Sequence, residues 1–259
     1  MSHATITHRH RADTTNAITR ERHMAAATSI RASIADRERD LLNTFAPANS
    51  GARRMPITVT GPDNRPVGTH WLLLPDGTGL VELASTSGIS LLGRPRPMTA
   101  HTRGFGQAII AALNHGVTRL ILTIDGSCST DGGTGVLREL GVAFLDAHDR
   151  PIRDGGIGLA ELATIDLSGI RRQPTDGVIV LTDDTCPLLG PGGAAHALAP
   201  RTGATSTDVA ELRAGLRRLA SFQLLPSQNG RPAHQIAGSG AAGGVEYGLR
   251  VWSAHAGAE

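Results

Sequence analysis

The chain has 259 residues, 40% of them hydrophobic and 19% charged, with a formal net charge of +2. That balance excludes a disordered tail or a fibre, and no apolar run approaches the roughly 18 residues a membrane span needs. The small positive excess is no nucleic-acid footprint, and Cys128 and Cys186 are too few for a disulfide scaffold, so a reducing cytoplasmic setting is expected. With 32 glycines and only 3% aromatics, the core must be packed from Ala, Val, Leu and Ile around many tight turns. All 25 basic residues are Arg, so Schiff-base chemistry and a Walker lysine are excluded. Any anion contact must come from Arg, backbone N–H groups, helix N-termini or a metal.

Residues 1–16 are polar, with His3, His8 and His10 among Arg9 and Arg11, and read as a frayed end in preference to a metal-binding tail. Ala17–Phe45 carries Ile18, Met24, Ile30, Ile34, Leu41 and Leu42 at helical spacing, which predicts a half-buried surface helix. Pro47–Arg54 reads as a linker. Pro56–Thr60 predicts a strand ending at Gly61-Pro62. Val67–Leu74 and Gly79–Ala84 flank Pro75-Asp76-Gly77-Thr78, a hairpin pattern. Phe105–Asn114 predicts a helix closed by Gly116, and Arg119–Ile124 (RLILTI) a buried strand. A glycine-rich stretch follows to Gly135, then a helix near Val136–Leu140 and a short strand at Val142–Leu145. Gly177–Leu181 (GVIVL) predicts another apolar strand, and Asp208–Phe222 an amphipathic helix with Val209, Leu212, Leu216 and Leu219 on one side. Ala237–Gly244 is again rich in Gly and Ala. Alternating strands and helices predict an α/β fold with a mixed or parallel sheet and flanking helices.

In such sheets ligands bind beyond the carboxyl ends of the strands, so the two loops that follow RLILTI and GVIVL carry the candidate chemistry. Asp125 to Gly135 offers glycines for close backbone approach, the hydroxyls of Ser127, Ser129 and Thr130, and Asp131. Without G-K-[ST] or G-x-S-x-G this is neither a Walker loop nor a nucleophile elbow. Thr182 to Gly193 places Asp183 and Asp184 at a strand end before a rigid Pro/Gly turn, suited to a metal or a hydroxyl. From spacing alone, a capped glycine turn explains the first loop as well as ligand binding does, and a solvated turn explains the second better. Glu82, inside the apolar run GLVELA, needs solvent or a polar partner. His70, His101 and His115 read as core or surface residues, and Gly104-x-Gly106 is a weak sign.

Across these segments the sequence resembles the bacterial glycerate kinase family. The family's VTGPLGRPV pattern is similar to Val59 through Val67, and its IEMA-x-x-SGL hairpin end to Val81 through Ile89. Its TYGTGELI segment is similar to Thr102 through Ile109, its GGSATNDGG signature to Asp125 through Gly133, and DV-x-NPL-x-GP-x-GA to Asp183 through Ala194. PQKGAT resembles Pro200 through Thr205, and GAGAAGGLG resembles Gly238 through Val245. The resemblance implies ATP-dependent phosphorylation of D-glycerate with Mg²⁺, in a cleft between two α/β domains. On that implication Asp131 and Asp183 are the catalytic and Mg²⁺-holding candidates. Gly126, Ser127, Ser129, Thr130, Gly132, Gly133 and Glu82 are the substrate- and phosphate-binding candidates.

The departures are as specific. The family's DSFKG opening is missing, and ADGGEGT survives only as Ala35-Asp36-Arg37-Glu38-Arg39. The family's further α/β stretch with TGEG-x-x-D is missing after Leu249. The expected organisation is therefore a helical and linker segment at 1–55, a central glycerate kinase domain at 56–235, and a Gly/Ala-rich segment at 236–259 beginning an incomplete second domain. Asp125 stands for the signature's first Gly and would put negative charge beside a phosphate path; Thr130 stands for its Asn, Cys186 for the NPL Asn and Thr202 for the PQKG Lys. One lost oxyanion-type donor costs about 2.7–4 kcal/mol, so weak or impaired kinase activity is expected. The alternative is a non-catalytic paralogue that binds a small acid or nucleotide or acts through protein contacts. D-glycerate and ATP are the expected small-molecule partners, with no nucleic acid and no membrane, and an exposed core face leaves a homodimer open. A dinucleotide-binding module is set aside, because no G-x-G-x-x-G follows a buried strand.

Overall fold

A computed structural model describes residues 42–43 and 51–256. The helix expected over Ala17–Phe45, the histidine-bearing tail and the Ala35–Arg39 loop remnant lie outside the described residues, apart from Leu42 and Asn43. Strands β1 (Arg53–Thr60), β2 (Pro66–Leu73) and β3 (Thr78–Glu82) form an antiparallel meander. β1 starts earlier than its apolar run, because Arg53 and Arg54 pair with Leu73 and Leu72; those two expected linker residues belong to the sheet. The expected hairpin turn forms at Pro75-Asp76-Gly77, where Asp76 Oδ1 accepts from the Thr78 amide at 3.0 Å and Leu74 N donates to Thr78 O at 2.8 Å.

A short helix α1 (Ala84–Ser87) leads to α2 (Arg103–His115), which Gly116 closes as expected. β4 (Arg119–Thr123) then lies parallel to β3, every residue buried. α3 (Thr134–Glu139) follows the glycine-rich loop. β5 (Ala143–Leu145) and β6 (Thr164–Asp166) make a separate antiparallel pair. β7 (Val178–Leu181) is parallel to β4 and completes a five-stranded sheet of order β1-β2-β3-β4-β7. After α4 (Ala194–Ala197) comes α5 (Ser206–Ser221), which begins before its first apolar residue because Thr205 and Asp208 form a reciprocal capping box. Val209, Leu212, Leu216 and Leu219 are all buried, as the periodicity predicts.

The last helix, α6 (Ala241–His255), was not legible in the sequence. Its start runs through Ala242, Gly243 and Gly244 in left-handed conformations, so Gly and Ala mask the helical period. It nevertheless buries Val245, Tyr247, Leu249, Val251 and Trp252 in the main core. Pleating gives the sheet two apolar faces. Val81, Leu120, Leu122 and Val180 face the helices, while Leu72, Leu80, Ile121 and Leu181 join Leu42 on the other side. Among the described residues no helix is long and apolar enough to cross a membrane.

Candidate functional site

Three parallel strands end side by side. Register pairs Glu82 with Thr123, and Thr123 with Leu181, so the segments leaving β3, β4 and β7 emerge from one edge. The ladder continues past the strands, with Leu83 N donating to Thr123 O at 2.9 Å and Ile124 N to Leu181 O at 3.2 Å. The turns after RLILTI and GVIVL are thus neighbours, as the sequence reading required. Thr182 Oγ1 donates to Asp125 Oδ1 at 2.7 Å and accepts from Asp184 N at 3.1 Å, tying the two turns together. Ile89 N donates to Gly126 O at 3.1 Å, which brings the segment after α1 against the same turn. Ile89 is 41% exposed there, the one large apolar side chain left open among the described residues.

Carboxylates dominate this edge. Glu82 is buried at the end of β3, Asp183 is exposed, and Asp184 is half-buried with Oδ1 accepting from Cys186 N at 2.8 Å. Asp125 is pushed up to about 6: burial is the largest cause, and the negative charges of Asp183 and Asp184 add to it. Hydrogen bonds from Thr182 and from the Asp183 amide pull the other way. Cys186 is pushed up to about 12 by burial and by Asp184, which leaves it a poor nucleophile at neutral pH.

The glycine and hydroxyl loop is organised differently. Asp131 is fully buried; its Oδ2 accepts from Thr102 N (2.9 Å), Thr102 Oγ1 (2.8 Å) and Gly135 N (3.3 Å), and its Oδ1 from Gly133 N (2.9 Å). Four bonds fill most of a carboxylate's acceptor capacity. Ser129 Oγ donates to Ala100 O at 2.8 Å and accepts from Asp131 N at 3.2 Å, while Ser127 Oγ accepts from Ser129 N at 3.2 Å. Gly132 N donates to Gly243 O at 3.0 Å. Amide groups already donating inside the chain are not free to cradle a phosphate. Thr130 is fully buried, and its Oγ1 has no hydrogen-bond partner.

The paired glycines of this loop have a packing reason. Gly132 is left-handed (φ +66°), and a Cβ there would lie 2.5 Å from Leu219 Cδ2; Gly133 (φ +77°) packs against Gly244 and Gly248. Of the expected site residues, the structure therefore brings Glu82, Gly126, Ser127 and Asp183 to the open edge or beside it. It sets Gly132 and Gly133 behind it, against α5 and α6, and keeps Ser129, Thr130 and Asp131 buried, with Asp131 bonded to Thr102, Gly133 and Gly135.

The segment before α6 braces the β7 turn. Gly238 N donates to Thr185 O and Gly240 N to Cys186 O, both at 2.9 Å, and Leu188 N donates to Ser239 Oγ at 2.9 Å. Behind it, Arg250 Nε meets Glu246 Oε1 at 3.1 Å, both side chains 3% exposed, and Arg250 Nη2 donates to Ala237 O at 3.4 Å. The histidines are structural: His101 is buried, burial lowers its pKa, and its Nδ1 accepts from Arg103 N. Its Nε2 then carries the proton that reaches Asn64 Oδ1 at 3.2 Å. His115 stands edge-on to Trp71 at 5.6 Å. Shallow hollows along β1 and β2, one of them lined by Thr58, Thr60, Asn64 and Gln107, hold no titratable cluster comparable with the strand-end carboxylates.

Sequence reasoning missed the part played by Asp125 and Thr182. The available signal was their position: each directly follows a buried strand that the alternation had already placed in the sheet.

Comparison with known proteins decides the family. The model of the glycerate kinase family matches residues 6–258. The chain belongs to the glycerate kinase family. It is 34% identical to the glycerate 2-kinase of Escherichia coli (strain K12) over 223 residues, covering 85% of this chain and 58% of that relative. The glycerate kinase of Bacillus subtilis (strain 168) matches with the same identity and coverage. A crystal structure designated glycerate kinase 2, from Salmonella typhimurium LT2, superposes with a TM-score of 0.73 at 34% identity, over 78% of this chain and 55% of that one. The chain thus spans little more than half the length of the glycerate kinases it matches.

Proposed function

We propose that this chain takes part in ATP-dependent phosphorylation of D-glycerate, with its strand-end edge as one wall of the site. The observation that carries the reading is the shared edge of β3, β4 and β7, where Glu82, Asp125 and Asp183 converge in a chain similar to proteins named glycerate kinase. Phosphoryl transfer asks a protein chiefly to position groups and neutralise charge, so acidic and hydroxyl-binding groups on one wall suit the acceptor substrate.

Within this reading Asp183 fits a contact to Mg²⁺, because Mg²⁺ bound with nucleotide uses one or two carboxylates, water and phosphate oxygens. Asp183 is exposed at the edge. Asp131 does not fit that role, since its oxygens face Thr102, Gly133 and Gly135 inside the fold. We assign it instead to holding the loop. Ser127 and the Gly126 backbone, next to the edge, remain the substrate-facing part of the signature loop.

The reading is tested by following ADP release from ATP, Mg²⁺ and D-glycerate with the purified full chain, alone and as Asp183→Asn. Glycerate-dependent ADP formation, reduced about 10²-fold or more by the substitution, is expected. No glycerate-dependent turnover together with no binding of D-glycerate or ATP by calorimetry would overturn it.

A further inference from the structure

The joined turns hold one group that the family pattern does not supply. Asp125 occupies the position of the signature's first glycine, and the Thr182 hydroxyl fixes its Oδ1 at 2.7 Å. The same hydroxyl accepts from Asp184 N, so the carboxylate is held at one oxygen by a group that is itself held. The Asp183 amide also approaches the carboxylate, while its other oxygen, Oδ2, is buried and makes no hydrogen bond of normal geometry. Two residues earlier, Thr123 is 4% exposed and its Oγ1 also has no partner. Resting on the glycerate-site reading above, we propose that Asp125 is a specificity-determining residue whose Oδ2 accepts a hydrogen bond from a hydroxyl of the bound hydroxy acid.

The chemistry narrows the ligand group. An ionised carboxylate oxygen only accepts, so its complement must donate. A phosphate or carboxylate of the ligand would be repelled, the more so with Asp183 and Asp184 beside it. A neutral hydroxyl therefore suits the position, and Thr123 Oγ1, able to donate and accept, suits a second hydroxyl or the far side of the first. Sites built around a substrate hydroxyl reject analogues that lack it, because the buried acceptor is then left unsatisfied.

The test is calorimetric, with the full chain saturated with Mg²⁺ and a non-hydrolysable ATP analogue, so that binding is read without turnover. D-glycerate is titrated beside D-lactate, which lacks the 3-hydroxyl, and 3-hydroxypropanoate, which lacks the 2-hydroxyl. The wild-type chain is expected to prefer D-glycerate over one of the two by about tenfold or more. Asp125→Gly should cut that ratio to about threefold or less and leave the other ratio unchanged. Asp125→Asn, whose amide oxygen can still accept from Thr182, serves as the folded companion should the glycine variant melt early, and should lose the same ratio. Wild-type binding with ratios untouched in both variants would overturn this inference and leave the kinase reading standing. No binding of D-glycerate by the wild-type chain would overturn both.

Discussion

The carboxylate of Asp131 takes both the amide and the hydroxyl of Thr102, at 2.9 and 2.8 Å, across 29 residues of sequence. Thr102 Oγ1 in turn accepts from Val136 N at 3.1 Å, so the start of α2, the signature loop and the start of α3 are fastened at one buried point. Asp131 is thereby a fastening of the fold.

Removing that fastening should unfold before it disarms. Asp131→Ala strips the acceptor from four buried donors and is expected to cost about 3 kcal/mol or more in urea denaturation. Asp131→Asn should recover only part, since its amide nitrogen meets donors. An Asp131→Ala chain of wild-type stability that has lost nucleotide binding would show a direct ligand role instead.

Asp125 should shape stability against pH. The folded chain holds its proton up to about pH 6, whereas the group's ordinary value is 3.8. Protonation is thus favoured by folding, so this contribution is complete below the lower value and fades as pH rises through about 6. Asp125→Asn, neutral throughout, should exceed wild type at pH 7.5 by up to about 3 kcal/mol, with the gap closing towards pH 4. Parallel urea midpoints for the two chains across pH 4 to 8 would contradict the assigned cause. A residue that costs stability at neutral pH is one that function can account for.

The buried pair Glu246–Arg250 makes a third prediction. Arg250→Met leaves a carboxylate 3% exposed without its guanidinium and should cost about 3–5 kcal/mol. Replacing both, with Glu246→Leu and Arg250→Met, should restore much of that loss, because two desolvated charges are exchanged for apolar packing. A double variant no better than the single one in urea denaturation would show that Arg250 acts chiefly through the Ala237 carbonyl.

Much of this molecule was legible in order. A short apolar run gave the core of β1, the hairpin turn pattern gave β2 and β3, continuous apolar runs gave β4 and β7, period 3.6 gave α2 and α5, and glycine with turn residues marked where they stop, because these signals act between residues a few positions apart. The motif order was enough to name the family. What the one-dimensional pattern could not contain was which loop atoms are already spent. Asp131 and Asp183 look alike as acids after a strand, yet one is buried under four hydrogen bonds from residues up to 29 positions away and the other stands exposed. The same holds for α6, whose left-handed opening makes sense only against the Ser129 carbonyl, 1.9 Å from where a Cβ of Gly243 would be. Sequence by itself determined most of the longer elements, α6 excepted, because local sterics and hydrophobic period are written in neighbours. Tertiary structure alone decided which carboxylates face inward and which face the edge, because burial and hydrogen bonding depend on partners that only folding brings together.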